Sequence, residues 1–169
     1  PVITTSSGDD VAQTLSEAAE TTSTPEANAG NLTATGTLAF YDVDTTNTFT
    51  ARVLSVAVTG TTGAEAPDNA EFKAMLTLPS AEAGGTAETE GSIPWSFTGG
   101  EHRFDYLAAG ESVTLTYLIE LRDNSGGTDS QTVAITVTGQ NDNPVITTSS
   151  GNDVAQTLSE AAETTSTPE

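Results

Sequence analysis

Apolar and polar residues alternate most regularly in the last third of the chain. Over residues 113–121 every second side chain is apolar, and the same alternation returns over residues 133–137. This period of two predicts two half-buried β-strands. Residues 123–127 connect these two strands and are rich in Asn, Ser and Gly, which favours a hairpin.

Shorter stretches of the same kind predict five more strands, at residues 11–16, 32–40, 49–58, 72–78 and 93–97. Only residues 15–21 look helical, and that stretch is too short to form a stable helix alone. About seven short strands with turn residues between them predict an all-β, antiparallel two-sheet β-sandwich with Greek-key connections. We expect Trp95 and Phe97 to lie in the core between its sheets.

The beginning of the chain recurs at its end. Residues 1–26 are repeated as residues 144–169, with Asn152 in place of Asp9 as the single difference. A near-identical copy at a spacing of 143 residues is typical of a tandem array. We therefore expect residues 1–143 to be one complete repeat unit. Residues 144–169 are then the start of the next unit, or a strand that completes the sandwich in place of residues 1–26.

Two nearly identical segments are expected to compete for one position in the sandwich. The displaced copy would be free to pair with another molecule, so the sequence predicts strand-swapped self-association.

The chain is strongly acidic, with 24 Asp and Glu against four Lys and Arg and a formal net charge of −20. Such a charge disfavours nucleic acid and anionic membranes as partners, and it favours bound cations that reduce the repulsion. There is no cysteine, which excludes a disulfide framework and a thiolate metal site. No apolar run is long enough to insert into a membrane as a spanning helix.

Many acidic and amide side chains fall at the ends of the predicted strands. The candidate metal ligands are Glu17, Glu20, Asp42, Asp44, Asp123, Asp129, Asn141, Asp142 and Asn143. Carboxylate and amide oxygens on closely spaced loops are the ligands that Ca²⁺ takes, so calcium is the predicted cofactor. The alternative is that Asp and Asn are ordinary turn residues, which hydrogen-bond their own backbone.

The predicted strand order brings these residues into two groups. With seven alternating strands, the loop of Asp42 and Asp44 and the hairpin of Asp123 and Asp129 fall at one end, where a preceding unit would join. The last strand delivers residues 141–143 to the opposite end. Each junction of an array would then face one unit's linker with the next unit's loops, with Glu17 and Glu20 on the linker side.

Five motifs, in order, carry a resemblance that covers nearly the whole period. They are GTLAFYDVD at 36–44, IPWSF at 93–97, FDYLAAGE at 104–111, LTYLIELRDNSG at 115–126 and TGQNDNP at 138–144. Together they resemble a VCBS repeat, a bacterial cadherin-like tandem repeat of large RTX-type surface adhesins. The linker Asn141-Asp142-Asn143-Pro144 is also similar to the calcium-binding linker of cadherins.

The resemblance implies an Ig/cadherin-like sandwich, secretion by a type I system, display at the bacterial cell surface and calcium at the domain junctions. In this role, which belongs to cell adhesion and biofilm formation, the unit is a structural extender that holds a terminal adhesive domain away from the cell. Its partners are the neighbouring repeats and calcium. One position departs from the pattern: cadherin linkers usually carry Asp two residues before Asn-Asp-Asn, and Gly139 stands there. With one ligand missing, we expect either a weak site or a site that a neighbouring loop completes.

The sequence gives little support to an enzyme. His102 is the single histidine and lies in a polar loop, so a two-histidine metal centre is excluded. The alternative function from another class is a carbohydrate- or ligand-binding module that uses Trp95 or Tyr106 as a stacking surface.

Overall fold

The described part of the chain consists mostly of β-strands and has almost no helix. The computed structural model describes residues 1–4, 11–17, 31–44, 46–79, 89–100, 103–142 and 144. The elements are β1 (Val2–Thr4), β2 (Ala12–Ser16), β3 (Thr33–Asp42), β4 (Phe49–Gly60), α1 (Asn69–Ala74), β5 (Leu76–Thr77), β6 (Thr89–Thr98), β7 (Ser112–Asp123) and β8 (Thr128–Thr138). Glu20, His102, Asn143 and the repeated segment after Pro144 lie outside the described residues.

The strands form two four-stranded sheets, with orders β1-β3-β6-β5 and β2-β8-β7-β4. Among the described strands, only the β5–β6 and β7–β8 connections join neighbours in one sheet, and the other connections cross between the sheets. This is the arrangement of an immunoglobulin-type sandwich. The prediction of an all-β two-sheet sandwich is confirmed. One pairing is parallel rather than antiparallel, because β2 runs beside β8 in the same direction.

Alternate side chains of the long strands fill the space between the sheets. In β7 every second residue from Val113 to Leu121 is fully buried, as the alternation predicted. Trp95 and Phe97 of β6 are each 1% exposed, which confirms that they lie in the core. The buried apolar side chains in the described part of the chain all come from positions between Ala34 and Val137.

The strand predicted at residues 72–78 is wrong over most of its length, because α1 begins at Asn69 and β5 contains only Leu76 and Thr77. Asp68 caps this helix: its Oδ1 accepts hydrogen bonds from the backbone N–H groups of Ala70 and Glu71, both at 2.8 Å. The Glu71 carboxylate in turn accepts from the Asp68 N–H at 3.0 Å. This reciprocal capping box satisfies donors that a short helix otherwise leaves free.

Two further observations concern the amino-terminal segment. The strand predicted at residues 11–16 is confirmed by β2, which includes Leu15 and Ser16 from the stretch that looks helical in sequence. β1 was not predicted, because three residues are too few to show a period of two.

The short helix is tied to the core by a buried tyrosine. The Tyr117 hydroxyl donates to the carbonyl oxygen of Phe72 at 2.8 Å, and burial raises the pKa of Tyr117 well above its ordinary value. That carbonyl also accepts the N–H of Met75 at 3.2 Å, so it keeps one partner if the hydroxyl is removed.

We expect Tyr117→Phe to lower the free energy of unfolding by about 1 kcal/mol, the usual net value of one buried hydrogen bond. Tyr41→Phe is the matched control, because Tyr41 is 41% exposed. It should change stability by less than about 0.5 kcal/mol. Urea unfolding of both variants checks this, and equal losses would contradict it.

Candidate functional site

The candidate ligands lie at the two opposite ends of the sandwich. We call the end that contains Pro1 and the last residues of β3 and β7 the amino end. We call the other end, where β2 and β8 finish, the carboxyl end. The structure places Asp42, Asp44, Asp123 and Asp129 at the amino end, and Glu17, Asn141 and Asp142 at the carboxyl end.

The amino end is organised around the amino group of Pro1. Its nitrogen lies 2.8 Å from Asp42 Oδ2 and 3.9 Å from Asp123 Oδ2, and all three groups are buried. Within the described ranges, no neutral group donates a hydrogen bond to Asp42 Oδ2. The Asp42 pKa is lowered, chiefly by this ammonium and then by the N–H of Asp44. A positive charge therefore occupies the space between two buried carboxylates.

Each of these two carboxylates divides its oxygens between two tasks. Asp42 Oδ1 accepts the N–H of Asp44 at 2.8 Å, and Asp123 Oδ1 accepts the N–H groups of Ser125 and Gly127 at 2.9 and 2.7 Å. These are the self-bonded turns of the alternative interpretation. The Oδ2 atoms face the ammonium instead. Asp and Asn thus act here as turn formers with one oxygen and present the other to a shared positive group.

Asn47 and Asp129 complete the amino end. The Asn47 amide donates to Asp44 Oδ2 at 3.4 Å and to Asp123 Oδ2 at 3.3 Å, which links the loop after β3 to the β7–β8 hairpin. Asp129 Oδ2 accepts the backbone N–H of Ile3 at 2.7 Å and so holds the start of β1. Asn47 was not among the predicted ligands. Its position three residues after Asp44, before a strand, is the signal that would have found it.

The carboxyl end centres on Glu17, which is buried with 8% exposure. Its Oε2 accepts the backbone N–H of Gln140 at 3.4 Å, and no donor from the described part of the chain forms a hydrogen bond with its buried Oε1. Burial is the largest cause that raises the Glu17 pKa to about 7, and the carboxylates of Asp142 and Asp105 add to it. Glu17 and Asp105 can share a hydrogen bond only when one of them carries a proton. A deprotonated Glu17 is therefore repelled by the Asp105 carboxylate.

Asp105 is a functional candidate that sequence reasoning missed. It belongs to the FDYLAAGE motif on which the resemblance rests, and its charge acts on Glu17. The loop that carries it also explains Gly139. A Cβ atom at position 139 would stand 2.3 Å from the Leu107 carbonyl oxygen and 2.6 Å from that of Ala108. The backbone of this loop occupies the space that an Asp side chain at 139 would need.

The described residues do not form a complete metal centre at either end. Within the described ranges no group of three or more His, Cys, Asp or Glu side chains is arranged to hold a metal ion. Each end has a buried carboxylate oxygen to which no neutral group among the described residues donates a hydrogen bond, and further oxygen ligands lie beside it. Such groups favour a cation, because an unpaired buried charge is costly.

The two aromatic residues of the alternative function do not form an open stacking surface. Trp95 is 1% exposed, and Tyr106 is half-buried with its hydroxyl oxygen enclosed. In the described part of the chain, no helix is long and apolar enough to cross a membrane.

Comparison with known proteins gave no match: no protein-family model fits the chain, and no similar protein was found among the curated proteins or the solved structures.

The raised pKa of Glu17 makes stability depend on pH when no divalent cation is present. The folded state binds a proton at Glu17 more tightly than the unfolded state does. The stability that this proton contributes is therefore complete below about pH 4.5 and is lost as pH rises through about 7. We expect Glu17→Gln to be more stable than the parent chain at pH 8 and to lose this part of the pH dependence. Thermal melts from pH 5 to 8 in a chelating buffer check this.

Serine at position 16, beside Glu17 and exposed, provides a matched control, and Ser16→Asn should leave the pH profile of the parent chain unchanged. A Glu17→Gln profile parallel to that of the parent chain would contradict the assignment.

We expect Gly139→Asp to destabilise the unit by about 1–3 kcal/mol or more, because the new side chain overlaps the Leu107 and Ala108 carbonyls. Gln140→Asp adds the same charge at an exposed neighbouring position and should cost less than about 0.5 kcal/mol. Urea unfolding distinguishes the two. A Gly139→Asp variant that is as stable as Gln140→Asp would show that the loop moves aside at little cost.

Proposed function

We propose that this chain is an extender unit of a repetitive bacterial surface adhesin, stiffened by calcium at the junctions between units. The observation that carries the proposal is that the chain enters the sandwich at one end and leaves it at the other, with a buried, donor-poor carboxylate at each. Pro1 lies beside Asp42 at the amino end, and Gln140 lies beside Glu17 at the carboxyl end.

A unit built in this way adds length. β7 contains 12 residues and spans about 40 Å, and the chain passes from one end of that distance to the other. Domains often have termini close together, which suits insertion rather than extension. The copied segment at 144 begins directly after the linker, so successive units would join end to end. The near-identity of the copies supports a spacer, because repetition of length is useful without a binding site.

Calcium would act at the junction, where the acidic amino end of one unit meets the acidic carboxyl end of the previous one. The Pro1 ammonium at the amino end indicates the kind of group this position accepts. In the second copy the corresponding residue, Pro144, follows Asn143, and its nitrogen is a tertiary amide nitrogen without charge. At such a junction Asp42 and Asp123 would need another positive group. Ca²⁺ fits, because it takes six to eight oxygen ligands in flexible geometry.

The ligands of such a junction come from both sides of the linker. Asp42, Asp44, Asp123 and Asp129 would contribute from one unit, and Glu17, Asp105 and Asp142 from the preceding one, with the amide and backbone oxygens of the linker between them. Fixing the linker converts a flexible string of domains into a rod. Export by a type I system and display at the cell surface agree with this role, because extracellular modules bind calcium with dissociation constants of about 10⁻⁴–10⁻³ M.

The test compares the chain with a version that carries Thr-Gly-Gln-Asn-Asp-Asn, the residues at 138–143, in front of Pro1. The extension removes the ammonium and supplies the linker. We expect the extended chain to melt lower than the parent in chelating buffer. In 5 mM calcium it should recover by about 3–7 °C, as expected for millimolar or tighter binding to the folded state. Magnesium at the same concentration should do much less.

Asp42→Asn in the extended chain is the matched variant, since it removes one charge but keeps the shape, and it should abolish most of the calcium response. Equal responses to calcium and magnesium, or an undiminished calcium response in Asp42→Asn, would overturn the proposed site.

A further inference from the structure

The second sheet joins an early strand of the chain to the last described strand by a parallel pairing. β2 runs beside β8 in the same direction, from Ala12 opposite Ala134 to Ser16 opposite Thr138. The other strand pairings in the described part of the chain are antiparallel. β2 also lies at the edge of its sheet, with β8 beside it. The direction of this one pairing decides how tension along the chain acts on the fold.

Tension along the chain pulls β2 and β8 in opposite directions along their length. It reaches β2 at Ala12 and leaves β8 at Thr138, at the carboxyl end. Because the strands are parallel, these two points lie four residues, or about 13 Å, apart along the strands. The pair is therefore loaded in shear. In an antiparallel pair the two points would lie opposite each other, and tension would separate the strands one hydrogen bond at a time.

Backbone hydrogen bonds at both ends of the pair share the shear load. At one end the N–H of Ala134 donates to the carbonyl oxygen of Val11 at 2.9 Å. At the other end the N–H of Glu17 donates to the carbonyl oxygen of Thr138 at 3.0 Å. If β2 slides along β8, every bond between them is displaced at once, and a slip by one residue also turns its apolar side chains away from the core.

Side chains hold β2 against the same movement. The Thr138 hydroxyl donates to the carbonyl oxygen of Leu15 at 3.2 Å and lies 3.1 Å from the Ser16 hydroxyl. The Gln13 amide donates to the carbonyl oxygen of Thr35 in β3 at 2.9 Å, which connects β2 to the facing sheet. Leu15 packs half-buried against the core. β2 is thus fixed to its neighbouring strand, to the other sheet and to the core.

We infer from this arrangement that the β2–β8 pair is a force-bearing clamp, which keeps the unit folded while the chain is under tension. The clamp opens only when its hydrogen bonds break together, and this raises the barrier to unfolding along the direction of pull. Forced unfolding is governed by that barrier rather than by the equilibrium free energy of unfolding. The source of the tension rests on the proposed function of an extender, but the clamp itself needs no cation and no neighbouring unit.

The experiment pulls the full chain in two directions with optical tweezers. Because the sequence contains no cysteine, introduced cysteines define where the handles are attached. Ala12→Cys with Gln140→Cys loads the pair in shear, and Ser16→Cys with Gln140→Cys pulls its adjacent ends apart sideways. All three side chains are exposed. Ser16→Ala in the first chain makes the two chains equal in lacking the Ser16 hydroxyl. In chelating buffer we expect the first chain to unfold at a several-fold higher force than the second.

Two isosteric variants of the first chain test the clamp directly. Thr138→Val removes the side-chain bond to Leu15, which spans β2 and β8. Thr136→Val is the matched control, because it removes a bond of 2.9 Å to the Thr114 hydroxyl, between β8 and β7. We expect Thr138→Val to lower the unfolding force and Thr136→Val to leave it nearly unchanged.

The inference is wrong if the two directions of pull give the same unfolding force, or if the two Thr variants weaken the chain equally. These forces are measured without calcium, whereas the proposed junction is tested by the calcium response of the extended chain. The clamp and the proposed function can therefore fail independently.

Discussion

The structure depends on the packing of alternate side chains between the two sheets. β6, β7 and β8 contribute Trp95, Tyr117 and Ile135 among other fully buried residues, and each of these strands is long enough to run most of the length of the sandwich. Because this core excludes charge, the acidic residues that follow the strands, as far as the structure describes them, lie outside the core at the two ends of the sandwich.

This segregation accounts for the unusual position of three carboxylates. Asp42, Asp123 and Glu17 are buried even though they lie at the ends of strands. At the amino end a terminal ammonium neutralises two of them, and at the carboxyl end burial and two neighbouring acids raise the pKa of the third to about 7. Both arrangements indicate the same need for positive charge, and this need is the basis of the proposed calcium-stiffened junction.

The start of the chain lies at an edge of each sheet. The described residues of β1 and β2 contribute no buried apolar side chain to the core, so backbone pairing and a few polar contacts hold these strands in place.

The sequence by itself determined the long strands, the hairpin and the core positions of Trp95 and Phe97, because a strand with one buried face must alternate along the chain. It did not show that residues 69–74 form a helix, since the reciprocal bonds of Asp68 and Glu71 outweigh a short apolar pattern. The grouping of the acidic loops followed from strand alternation. Only the tertiary structure decided that Asp105 approaches Glu17, that the Leu107–Ala108 backbone excludes a side chain at Gly139, and that Pro1 neutralises Asp42. These contacts join residues far apart in sequence, and no local pattern records which loops meet when two sheets close on a common core.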